Sequence, residues 1–152
     1  MNRFIFSAPA ILIALTQASE MPAQEPANPV VFSLSCSMAA AQQTCTSQVA
    51  LPAGKRIVIE HVSARLIAPS GQTVQLYVST SAFNLPSGTV AARHFVPFTP
   101  APSGSHYFAN FPIRMYGTTG SSVSIHSQRL QSPAGAPGSV QLEVWFTGYL
   151  LP

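Results

Sequence analysis

The stretch Lys55–Ala68, KRIVIEHVSARLIA, is the longest uninterrupted run rich in β-branched residues in the chain. Pro52-Ala53-Gly54 precedes it and Pro69-Ser70-Gly71 follows it, both of turn composition. β-branched side chains fit a pleated, packed surface, so the run reads as a strand. Its even positions carry Val58, Glu60, Val62, Ala64 and Leu66; its odd positions include Ile57, Ile59 and Ile67. Apolar residues of both parities at its start imply a central strand covered on both sides or a bulge that switches register. Glu60 shares the parity of Val62 and Leu66, which would draw it into a core. A buried carboxylate needs a partner, and Arg93, Arg114 or Arg129 from neighbouring strands would supply one. A register shift would instead leave Glu60 in water.

Outward from this run, period-2 segments recur between Pro/Gly breaks. Val74, Leu76 and Val78 alternate with Gln75, Tyr77 and Ser79. Residues 89–98 put Val90, Ala92, His94, Val96 and Phe98 on one parity, and residues 106–116 put Tyr107, Phe111 and Ile113 on another. Pro112 inside the latter run argues for an edge strand or an interruption. Val123 and Ile125 face inward in residues 121–130. The clearest alternation runs over residues 139–150, with Val140, Leu142, Val144 and Phe146 opposite Gln141, Glu143, Trp145, Thr147 and Tyr149. Upstream, residues 30–36 and 44–51 are short β-like runs joined by a connector that reads as a helical turn. About eight strands with regular turn punctuation and no helical periodicity predict an all-β fold, a single antiparallel β-sandwich. Jelly-roll connections are one way to join its strands, and a closed barrel is the structural alternative.

The N-terminus has a different character. Met1-Asn2-Arg3 is a positive start, residues 4–15 are apolar, and Thr16-Gln17-Ala18 fits a small-x-small cleavage rule, which is the pattern of a secretory signal peptide. The apolar run is shorter than the roughly 20 residues that a bilayer-spanning helix needs, so no membrane span is expected in the mature chain. The organisation read from the sequence is a signal peptide over 1–18, a Pro-rich leader over 19–29 and one β-sandwich domain over 30–152. An exported, periplasmic or extracellular location follows. Cys36 and Cys45 are the only cysteines, and in an exported chain an even count favours a disulfide.

The chain holds seven basic and four acidic residues, with no Asp, for a net charge of +3. This charge reflects scarce acids, not a basic patch, so no electrostatic footprint for nucleic acid exists. Arg outnumbers Lys six to one and Ala is abundant, a composition of GC-rich bacterial sources.

Catalytic patterns are sparse. His61, His94, His106 and His126 fall in separate predicted strands, with no HxH or HExxH spacing. No G-x-S-x-G elbow appears, and without Asp a serine triad would have to recruit Glu60 or Glu143. The same two glutamates are the only pair within strands for a two-carboxylate glycosidase. Calcium chemistry lacks the acids it needs. No cofactor, metal site or enzymatic activity is expected. The aromatic set offers more: Trp145 and Tyr149 share a polar face with Thr147 between them and Glu143 upstream, a combination suited to a sugar or a protein surface.

The segments LPAGKRIVIEHVSARL (51–66), PSGQTVQL (69–76) and SVQLEVWFTGYLL (139–151) make the chain similar to small exported bacterial β-sandwich proteins of unknown function. The resemblance implies fold and compartment and carries over no functional residue. The leading expectation is an exported, non-catalytic module that binds a glycan or another exported protein through Glu143, Trp145, Thr147 and Tyr149. A structural or assembly subunit of a pilus-like or surface polymer is the second reading, and a metal-dependent enzyme the third.

Overall fold

Two turns fix the ends of the central strand. Lys55 N–H donates to Pro52 O and Gln72 N–H to Pro69 O, each across 3.2 Å. Gly54 and Gly71 take φ of 72° and 79° at the third position of these turns, where a type II turn requires the left-handed region. The computed structural model describes residues 28–85, 88–102, 104–131 and 138–152. The expected signal peptide, 1–18, and residues 19–27 of the expected leader lie outside the described residues.

Nine strands form two antiparallel sheets: β1 Asn28–Met38, β2 Thr44–Ala50, β3 Arg56–Ile67, β4 Thr73–Leu85, β5 Gly88–Val96, β6 Thr99–Pro100, β7 His106–Gly117, β8 Ser122–Gln131 and β9 Val140–Leu151. The five-stranded sheet has order β1-β9-β3-β7-β6 and the four-stranded sheet β2-β8-β4-β5. Apart from the two-residue β6, the chain crosses between sheets at every connection but β4–β5, and the strand order is that of a jelly roll. The connector between β1 and β2 is a single turn, closed by Gln42 N–H to Ala39 O at 2.9 Å, rather than a helical one. Asn28 and Pro29, read as leader, already belong to β1.

The inner faces interdigitate into one core. β9 contributes Val140, Leu142, Val144 and Phe146, all buried as the alternation predicted. β3 contributes Ile57 and Ile59, then Val62, Ala64 and Leu66. The inward parity therefore changes from odd to even at Glu60. Both ladders shift register between Ile59 and His61, so the bulge alternative holds and Glu60 is exposed. The extra β3 residue presses the strand onto its neighbour. A Cβ on Gly148, the partner of Ile59, would fall on the Val58 carbonyl oxygen and within 3.0 Å of Ile59 Cα. Only glycine fits there.

Among the described residues β7 is paired on its second side only at its start, Tyr107 and Phe108, by β6. Pro112 therefore sits in an edge segment, where its missing N–H costs no ladder bond on the open side. Cys36 of β1 and Cys45 of β2 form a disulfide with Cα atoms 6.0 Å apart. Because β1 and β2 belong to different sheets, the bond staples the two layers at one edge.

One core residue departs from expectation. Arg129 continues the inward series Val123, Ile125, Ser127 on β8 and is only 2% exposed. Among the described residues it has no carboxylate partner: its Nη1 and Nη2 donate to Ala40 O and Gly138 O, each at 3.1 Å. Its own N–H reaches Gln43 O at 2.8 Å. The guanidinium thus ties the β1–β2 connector and the entry to β9 to the end of the second sheet, and it is far from any role as a partner of Glu60.

Candidate functional site

The two outer faces of the sandwich differ in how their polar groups are used. On the four-stranded sheet those at the centre of the face bond one another, while among the described residues Thr44, Gln48 and Gln128 toward the β2 edge make no side-chain hydrogen bond. Ser79 and Ser124 hydroxyls pair at 2.8 Å, and the Ser81 hydroxyl accepts the Ser122 N–H at 2.9 Å. Thr46 Oγ1 and His126 Nδ1 are 3.0 Å apart, and Tyr77 donates to Gln75 Oε1 at 3.0 Å. The Tyr77 ring is occupied as well, by Phe95 at a centroid distance of 5.8 Å and by the Arg93 guanidinium at 5.4 Å.

The outer face of the five-stranded sheet is open. Register places Ser33, Trp145, Ser63 and Asn110 in one row across β1, β9, β3 and β7. The next row toward the Gln141 end is Ser35, Glu143, Arg65 and Phe108; the next toward the C-terminus is Val31, Thr147, His61 and Pro112. Directly opposed residues in a ladder share a face with Cβ atoms about 5 Å apart. Trp145 therefore stands between two serines, whose side chains are too short to cover an indole, and it is 36% exposed. Among the described residues, no side-chain hydrogen bond is made by Ser33, Ser63, Glu143, Arg65 or Thr147. The one polar link nearby joins His61 Nε2 to Asn110 Oδ1; an Asn carbonyl oxygen accepts, so this nitrogen carries the proton.

All four residues singled out from the sequence, Glu143, Trp145, Thr147 and Tyr149, lie on this face. Trp145 and Tyr149 are not neighbours, however. Four residues of strand separate them by about 14 Å, and Tyr149 is half-buried. It and Tyr116 are the register partners of Val58, which accounts for Val58 being 2% exposed on an outward face. The Arg114 guanidinium lies 5.8 Å from the Tyr116 ring centroid. Two shallow hollows of about 80 and 350 Å³ flank Gln141 and Glu143, one toward Arg65 and Ile67, the other toward Ser35 and Ser37.

Ser33, Ser63, Arg65 and Asn110 complete the surroundings of Trp145, and sequence reasoning did not assemble them. The alternation marks each as outward, but only the strand order brings β1, β3 and β7 beside β9.

The remaining candidates do not converge. No group of three His, Cys, Asp or Glu residues able to hold a metal occurs among the described residues. His61 and His106 share the open sheet but stand rows apart, His126 is on the opposite sheet, and His94 is on its edge strand β5. Glu143 is level with Arg65, five strand residues from Glu60. That is about 17 Å between backbones along the strand, well beyond the 5–9.5 Å carboxyl separation of glycosidases.

The chain matches no protein-family model and no curated protein sequence. No helix among the described residues is long and apolar enough to cross a membrane. What fold and surface define is a disulfide-stapled jelly-roll sandwich with one outer face bonded internally across its centre and one open, aromatic and polar outer face.

Proposed function

We propose that the protein is an exported, non-catalytic binding module that docks a glycan on the outer face of its five-stranded sheet, centred on Trp145. The observation that carries this reading is the exposed indole between Ser33 and Ser63, surrounded by hydroxyl, carboxylate and guanidinium groups that have no side-chain partner among the described residues. A sugar ring offers an apolar C–H face to an aromatic ring and hydroxyls at its edge. An exposed indole supplies the first contact, and Ser33, Ser63, Thr147, Glu143 and Arg65 supply both donors and acceptors for the second. The flatness of the face suits an extended polymer rather than an enclosed small molecule, for which a deeper cavity is usual.

The test is binding of the purified protein to arrayed glycans and insoluble polysaccharides, with Trp145→Ala on the open face and Tyr77→Ala on the closed one. The expected result is binding that falls at least about tenfold in Trp145→Ala, as for the loss of an aromatic hot spot, and persists in Tyr77→Ala. Binding that survives in Trp145→Ala, or no glycan bound at all, overturns the proposal.

A further inference from the structure

The two sides of the sandwich are protected very unequally against pairing with another chain. On one side the edges are β5 and the β6–β7 segment. They carry the devices that blunt a sheet edge: a strand of only two residues, prolines at 97, 100 and 112, and Arg93 and Arg114. On the other side the edges are β1 and β2. Among the described residues β1 bonds only to β9, and β2 only to β8. Neither is short, at 11 and 7 residues. From Asn28 to Gly54 the sequence contains no Lys, Arg, His, Asp or Glu. The whole side, both strands and their connector, is without charge.

This side also leaves apolar surface open. Beyond the disulfide, β1 and β2 frame a groove of about 240 Å³ lined by Val30, Phe32, Val49, Leu51, Ile57 and Leu150. Val31 is 73% exposed, the most exposed of the large hydrophobic residues among those described.

We infer that this side is a self-association surface: a second copy of the chain pairs antiparallel through β1 about a two-fold axis. Three features favour this occupant. The unpaired N–H and C=O row of an edge strand asks for another extended strand, not a globular surface. A two-fold axis brings identical strands together antiparallel, the sense in which β1 already pairs with β9. The absence of charge leaves nothing to repel an identical strand and nothing to attract an oppositely charged one. Pairing would extend the five-stranded sheet across the axis, cover the apolar groove and close at the dimer. The inference stands on the edge strands alone and does not depend on glycan binding.

Sedimentation equilibrium of the disulfide-bonded protein, with amide hydrogen exchange at low and high concentration, tests it. The expected result is a concentration-dependent dimer with added protection in β1 and β2 and none in β5 or β7. Lysines at the exposed positions Val31 and Ser35 (Val31→Lys, Ser35→Lys) should weaken it at least about tenfold, since like charges opposed across a ladder repel. Thr99→Lys adds charge on the protected side and should leave it unchanged. The inference is overturned by a monomer at all concentrations, by a dimer that Thr99→Lys weakens equally, or by open-ended polymers. A monomer whose β1 amides are already protected also overturns it, the edge then being covered within the chain.

Discussion

The two sheets enclose the same core but keep their order by different means. The four-stranded sheet follows regular register through the middle of its β4–β8 ladder, from Val74 to Thr80, and ties its outer face together with serine pairs and with Tyr77 held by Gln75, Phe95 and Arg93. The five-stranded sheet breaks register at Glu60 in its central strand and, among the described residues, leaves Ser33, Ser63, Arg65, Glu143 and Thr147 around Trp145 without a side-chain hydrogen bond. A face whose donors and acceptors are already paired gains little from a ligand, because each new bond must replace an existing one. A face with unpaired groups exchanges only water. The contrast in how the polar groups are paired, not the bulge, makes the five-stranded sheet the better candidate for recognition, since the four-stranded sheet also shifts register, at Thr73/Val74 and Ala82/Asn84.

The sharpest way to break the comparison is Gly148→Ala. The added methyl collides with the β3 backbone at the bulge, and the expected loss is about 3 kcal/mol, at the upper end for overpacking because neither strand can yield. Chemical denaturation measures it. A loss below about 1 kcal/mol would mean that the two strands separate easily at the bulge.

Next in size is Arg129→Met in the other sheet. It keeps most of the volume but leaves Ala40 O and Gly138 O without their donor; two bonds from a charged group, less the guanidinium desolvation that the change removes, imply a net cost of about 2 kcal/mol. Thermal melting checks this. An unchanged midpoint would show that desolvating the guanidinium offsets what its bonds contribute.

The smallest expected effect sharpens the contrast between faces. Tyr77→Ala should cost about 1–2 kcal/mol through its lost ring contacts, while leaving any ligand bound at Trp145 undisturbed. Trp145→Ala should do the reverse, with stability within about 0.5 kcal/mol of the parent. Paired melting and binding measurements on these two variants read both halves. Equal stability losses would mean that the indole is part of the packing of its sheet.

Much of the fold was legible from local pattern. The parity of Val140, Leu142, Val144 and Phe146 assigned the inner face of β9 directly, because side chains alternate strictly along a strand and one side of the sheet is wet. The turn at Pro69-Ser70-Gly71 and the edge position of Pro112 followed from the φ of glycine and the missing N–H of proline. The cysteine pair followed from the even count together with the expectation of export. Arg129 was harder. Its parity with Val123 and Ile125 pointed inward, but its charge argued for water, and only the carbonyls converging from Ala40 and Gly138 resolve the conflict. Glu60 left two outcomes open on parity alone, since a bulge is a one-residue event that inverts every position after it.

The sequence by itself determined that this is an all-β chain of regularly punctuated strands, that Val140, Leu142, Val144 and Phe146 share a face opposite Glu143, Trp145, Thr147 and Tyr149, and that Val123 and Ile125 face inward. These are properties of neighbouring residues on one strand, and backbone geometry alone enforces them. Only the tertiary structure decided which strands lie beside β9, and hence that Trp145 is framed by Ser33 and Ser63. It also decided that Tyr149 is occupied over Val58, and that the uncharged strands β1 and β2 form one unguarded side. Those are pairings between residues distant in sequence, fixed by how two sheets close around a shared core, and no local periodicity encodes them.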